Sequence, residues 1–110
     1  EGALAALSVD PLWIEETCAR LKSKRDLAYD YARRQFDCIK PAGGFYLFPN
    51  VSRHLKEGQT SEDFCAHLLE KGGVAVIPGE AFGMGDHIRI SYAVPERELT
   101  TGFQRIESVL

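Results

Sequence analysis

The stretch GGVAVIPGEAFGMGDHIRISYA, residues 72–93, holds two short runs rich in β-branched residues joined by a glycine-rich turn, with an arginine inside the second run. Val74 to Ile77 and His87 to Ala93 read as strands, punctuated by the glycines around and between them. Side chains alternate across a strand, so Ile88, Ile90 and Tyr92 share one face and His87, Arg89 and Ser91 the other. Arg89 therefore leaves the core. Two readings of it stand side by side. It is a surface group, solvated or paired with Asp86 or Glu80, or it is an anion receptor. A guanidinium suits the second task because its rigid donor fork matches both oxygens of a carboxylate and stays charged at any working pH.

Upstream, Asp10 and Pro11 predict a helix start, since Asp accepts from free amides and Pro at the first helical position loses no hydrogen bond. Ile14, Cys18, Leu21, Ala28 and Ala32 recur at helical steps, with Arg25 interrupting, while Glu15, Arg20, Lys22, Lys24 and Arg33 occupy the opposite face. The helix is expected to end near Phe36. In KPAGGFYLFPNVS (40–52) the period changes: Gly43 and Gly44 break local order, Phe45 to Phe48 is a continuous apolar run, and Pro49-Asn50 ends it. This predicts a strand that needs cover on both faces. Thr60 then caps a helix with Asp63 in its first turn, Phe64, Cys65, Leu68 and Leu69 on its core stripe, and Gly72 as its stop. Pro95 opens a last helix carrying Leu99, Phe103, Ile106 and Val109 at helical spacing. The order α, β, α, β, β, α predicts an α+β domain, a three-stranded mixed sheet with helices packed mainly on one side and the other face left uncovered.

At 110 residues the chain supports one core. Its formal charge of -3 is spread over interspersed acids and bases, which argues against a nucleic-acid footprint or a polybasic membrane anchor. No apolar run approaches the ~20 residues that cross a bilayer, and no signal peptide opens the chain, so a soluble protein is expected. Cys18, Cys38 and Cys65 are an odd number without CxxC spacing, which fits a reducing cytosol better than a disulfide framework or a zinc site. Cys65 and His67 sit two apart on a helix, about 200° around its axis, and so do not face one ion. The glycines of PGEAFGMG match neither GxxxxGK[ST] nor GxGxxG, which discounts a phosphate loop. The opening phrase EGALAALSVD starts helix-like and uncapped at Glu1, as expected of a piece of a longer protein.

Four segments in this order, KRD (24–26), PAGGFYLFPNVS (41–52), FCAHLLEKGGVAVIPGEAFG (64–83) and HIRISYA (87–93), followed by a closing amphipathic helix, give the chain a resemblance. It resembles the C-terminal small domain of class I/II aminotransferases that depend on pyridoxal 5'-phosphate, the aspartate aminotransferase family of fold type I. The match covers nearly all of residues 1–110. The resemblance implies that Arg89 grips the substrate α-carboxylate and that Phe82 lies near the substrate at the active-site mouth; ordinary core packing is the other reading of Phe82. It implies amino acid and 2-oxo acid substrates, a cytoplasmic homodimer, and a large domain outside these residues that supplies the cofactor's Schiff-base lysine, its ring acid and its phosphate site. No catalytic, cofactor-binding or metal-binding residue is expected in this chain, which should be inactive alone. Ser23-Lys24 is superficially similar to the family's serine-lysine pair, but Arg25-Asp26 follows where a glycine-punctuated stretch is expected, so Lys24 reads as a surface lysine. An aminotransferase-like sensor of a transcription regulator, a lyase of the same fold, and a free-standing interaction module are the alternatives. Substrate side-chain specificity is not legible in these residues.

Overall fold

The structure is a computed structural model that describes all 110 residues. A short helix α1 (Gly2–Ala6) precedes the long helix α2 (Pro11–Gln35), then come strand β1 (Tyr46–Leu47), helix α3 (Ser61–His67), strand β2 (Ile77–Pro78), strand β3 (Ile88–Ser91) and helix α4 (Glu96–Val109). The class is α+β, as the sequence predicts. The sheet is ordered β1-β3-β2, with β3 at its centre. Both pairings are antiparallel: Tyr46 faces Ser91 and Leu47 faces Ile90 on one side, Ile77 faces Arg89 and Pro78 faces Ile88 on the other. The expectation of a mixed sheet is corrected here. β2 and β3 are joined by a loop too short for a parallel crossover, and the two outer strands, which do run the same way, never touch.

One face of this sheet carries the core. Ile88, Ile90 and Tyr92 from β3 and the residue beyond it meet Leu47, Val51, Phe64, Leu68, Leu99, Phe103 and Ile106, all buried. Each such side chain contributes about 1.5–3 kcal/mol through removal from water. The capped starts of the helices fix where they pack. Asp10 accepts from the amide of Leu12 with Pro11 at the first position, and Thr60 and Asp63 form a reciprocal capping box. Helix α2 enters the core only at its C-terminal end, where Ala28 and Ala32 are fully buried. Arg25, which breaks the apolar stripe, ties α2 to the entry of β1: it donates to Asp26 at 2.9 Å and to the carbonyl of Pro41 at 3.3 Å, and Lys40 meets the same Asp26 at 2.8 Å. These cations, Lys40 foremost, hold the Asp26 carboxyl below its usual range.

Four local expectations change. Ile14 and Cys18 are exposed rather than core, because nothing packs on the first half of α2, which leaves Leu12 and Trp13 open to solvent as well. Leu69 is exposed because α3 widens into a π-type turn over residues 68–72, which moves it off the stripe that Phe64 and Leu68 define. The stop of that helix is Gly73, in the left-handed region at φ 64°, and Gly72 instead lies against Val109 and the backbone of Arg105 in α4. The strands are shorter than predicted. Val74 and Val76 pack against the core without joining the ladder, and the paired part of the edge strand is Ile77 and Pro78.

The loop between β2 and β3 is closed tightly on the start of α3. Gly79 donates to the carbonyl of His87 at 2.8 Å and to the hydroxyl of Ser61 at 3.0 Å. The Ser61 hydroxyl donates in turn to the Glu80 carboxylate, and the Ser61 amide donates to Gly85 at 3.0 Å. At the far end of the loop Asp86 accepts from Asn50 at 2.9 Å and pairs with His87 at 2.6 Å.

Three outcomes follow from this packing. A Cβ at position 79 would lie 2.1 Å from the Met84 carbonyl and 2.5 Å from that of His87, so Gly79→Ala should cost about 1–3 kcal/mol or more in a denaturant titration. Glu80 is held below its usual carboxyl range by the Ser61 hydrogen bond first, and Asp86 by His87 first. Depressed folded-state values stabilise above the ordinary carboxyl range and lose that contribution as pH falls through the folded values. Thermal scans should therefore show the loop loosening as pH falls below about 4. Third, the 110-residue chain on its own should self-associate through its uncovered apolar surface, with light scattering reading a mass that rises with concentration; a strict monomer would count against that surface.

Candidate substrate-binding face

The face of the sheet turned away from the core gathers one cation and a set of aromatic rings. Alternation along β3 sends Arg89 to this side, half-buried, between two buried isoleucines. The guanidinium carbon lies over the ring of Tyr46 in β1, 4.4 Å from its centroid, and over the ring of Phe82 in the loop, at 4.9 Å. Phe82 meets Phe48 edge-on at 5.9 Å, and Phe48 stacks on His87 at 5.0 Å. Ile77, opposite Arg89 on β2, completes the apolar surround.

The electrostatics turn on which acids are available to the arginine. Glu80 and Asp86 are its two candidate partners by sequence, and neither pairs with it. Glu80 is engaged by Ser61 and the amide of Glu62, and Asp86 by His87 and Asn50. The ion pairs of the chain involve Arg25, Arg33, Lys40 and His87, and the Arg89 guanidinium makes neither a hydrogen bond nor a salt bridge within the chain. Its N–H donors are thus uncommitted, and its charge is uncompensated beside low-dielectric ring faces. Such a group can bind an anion in a forked, two-bond geometry.

Phe82 joins Arg89 here, 48% exposed, so the core-packing reading of it does not hold. The glycines at 43 and 44 do not reach this cluster. Gly44 takes a φ of 73° and offers its carbonyl to the Tyr92 hydroxyl at 2.7 Å, a tether for the loop. Cys65 and His67 are kept apart: Cys65 is buried, with its thiol pushed up to about 11 by desolvation, while His67 meets the Val109 carbonyl at 2.8 Å. Cys38 is likewise raised to about 11 by burial, so neither thiol is a nucleophile at neutral pH. Sequence reasoning missed Tyr46 and Ser61. Tyr46 sat inside an apolar run, and the register of two strands is what brings it beside Arg89. Ser61 follows the helix-capping threonine, and only the folded loop reveals its three hydrogen bonds.

The sequence and the fold of the chain have counterparts. The sequence profile of the aminotransferase class I and II family matches residues 1–106. A probable aspartate/prephenate aminotransferase of Rickettsia conorii is 38% identical over 118 aligned residues, which take in 99% of this chain and 29% of that protein. The crystal structure of the aspartate aminotransferase of Rhizobium meliloti superposes with a TM-score of 0.82 at 34% identity, over 97% of this chain and 29% of that one. The aspartate aminotransferase of Thermus thermophilus, solved with maleate, gives a TM-score of 0.82 at 29% identity over 90% of this chain and 25% of its own. The chain spans under a third of the length of the curated relatives it matches. Alike in fold and in sequence along nearly its whole length, it belongs to the class I and II aminotransferase family.

Proposed function

We propose that residues 1–110 are the small, substrate-binding domain of a pyridoxal 5'-phosphate-dependent aminotransferase that moves an amino group between an amino acid and a 2-oxo acid. Arg89 is its receptor for the substrate α-carboxylate. The observation that carries this reading is the uncommitted guanidinium of Arg89, held between Tyr46 and Phe82 while both neighbouring acids are engaged elsewhere. The relative solved with maleate, a dicarboxylate, lends it support.

The chemistry assigns Arg89 an orienting task. Two parallel charge-assisted hydrogen bonds to the carboxylate would fix the torsion about the bond to Cα, and so the direction in which the Cα–H bond points. A cofactor held by another domain would supply the electron sink for the chemistry at Cα. Arg89 orients the substrate and transfers no proton. The rings of Tyr46 and Phe82 lie against the guanidinium and replace part of its water with apolar surface, which strengthens its pull on an anion. A carboxylate that reaches Arg89 only when this face closes over a partner domain binds the closed state better, and so shifts the population toward it.

The cofactor does not fit these residues. No lysine stands among the side chains around Arg89, and Lys40 is committed to Asp26. In this reading the cofactor is held by a larger domain outside residues 1–110, and the chain alone is inactive. A cytoplasmic homodimer completes it, in keeping with three free thiols and with the apolar surface that Leu4, Leu7 and Trp13 leave to be covered.

In the full-length protein, Arg89→Lys keeps the charge and removes the fork. It should raise KM for the amino acid by about 10- to 100-fold, in steady-state assays across amino acid concentrations. An unchanged KM would remove Arg89 from the site.

A further inference from the structure

We infer that Tyr46 is a positioning residue for Arg89: together with Phe82 its ring holds the guanidinium by ring faces alone, so that the donors stay free for the incoming carboxylate. The inference rests on Arg89 being the carboxylate receptor. A long, flexible cation on a sheet face has many rotamers, and an anion that finds it must first bring it to one of them. Acidic partners are the common solution to holding an arginine still. They consume N–H donors and neutralise the charge that the substrate needs. Here the acids are engaged elsewhere, and the guanidinium lies over two rings at 4.4 and 4.9 Å, within the range where a ring quadrupole attracts a cation. Ring faces accept no forked hydrogen bond, so the attraction orders the group without spending its donors.

The two rings are themselves fixed. Tyr46 sits in register opposite Ser91 on the neighbouring strand, and so flanks Arg89 diagonally on the same face. Phe82 is braced edge-on by Phe48, which stacks on His87, which is pinned by Asp86. The Tyr46 hydroxyl makes no hydrogen bond in the chain, which assigns the work to the ring rather than to its polar tip.

The test uses the full-length holoenzyme with maleate as the probe, by calorimetry, beside steady-state kinetics. Tyr46→Phe keeps the ring and should bind within about twofold of the parent. Tyr46→Leu should weaken maleate and raise KM by about tenfold with kcat within about threefold, as expected when ground state and transition state lose the same contact. Pentafluorophenylalanine placed at position 46 keeps the shape but reverses the ring's electrostatics, and should bind maleate as weakly as the leucine variant. That readout does not move if Tyr46 is only packing, and it decides alone should Tyr46→Leu fail to fold. If the fluorinated variant binds like the parent while Arg89→Lys does not, the aromatic clamp is overturned and the receptor stands. If Arg89→Lys also binds like the parent, the receptor falls and the clamp falls with it.

Discussion

A single serine hydroxyl organises the exposed face of this domain. Ser61, fully buried at the start of α3, donates to Glu80, accepts from the Gly79 amide, and through its own amide holds Gly85. Buried polar groups are tolerated only when satisfied, and this one is satisfied three ways by one loop. The loop is thereby folded back on α3, Phe82 is carried over the sheet, and Glu80, one of the two acids near the arginine strand in sequence, is turned elsewhere. Without that engagement, the acid would be free to compete for Arg89. The unpaired state of the guanidinium is thus a consequence of hydrogen bonding elsewhere in the loop, Glu80 to Ser61 and Asp86 to His87 and Asn50.

The small sheet acts as a platform with two different faces. Its buried face is ordinary aliphatic and aromatic packing against three helices, and it determines where β3 lies. The open face inherits its geometry from that packing, because alternation along a strand fixes Arg89 once Ile88 and Ile90 are placed. Side chains on a strand with a packed reverse side are held more closely than the same groups on a loop, which suits a group that must meet a ligand at hydrogen-bond distance.

How much of this was legible in the residues varies with the range of the interaction. The helix starts at Pro11, Ser61 and Glu96 were readable because caps and prolines act within three or four residues. The outward direction of Arg89 was readable because period two is strict. The antiparallel sense of the sheet was not, since it depends on which strands become neighbours, and Leu69 was misjudged because a π-type turn leaves no periodic trace. The stripe through Ile14 and Cys18 has helical spacing without a partner in this chain, so periodicity alone overstated the core. For the site, the arginine and Phe82 stood out from their neighbours. Tyr46 did not, since its place beside Arg89 comes from a cross-strand register far apart in sequence.

The outer strands of the sheet are two residues long and each runs into a proline, Pro49 just beyond β1 and Pro78 within β2. A proline has no amide hydrogen to offer a further strand, and two residues give little template for one. Lateral growth of the sheet, the route by which extended chains stack into fibrils, is blocked at both margins. Contacts made by the apolar residues of the open side are therefore face-on, through side chains, and another protein surface can be accepted or released there without any backbone ladder being made or broken.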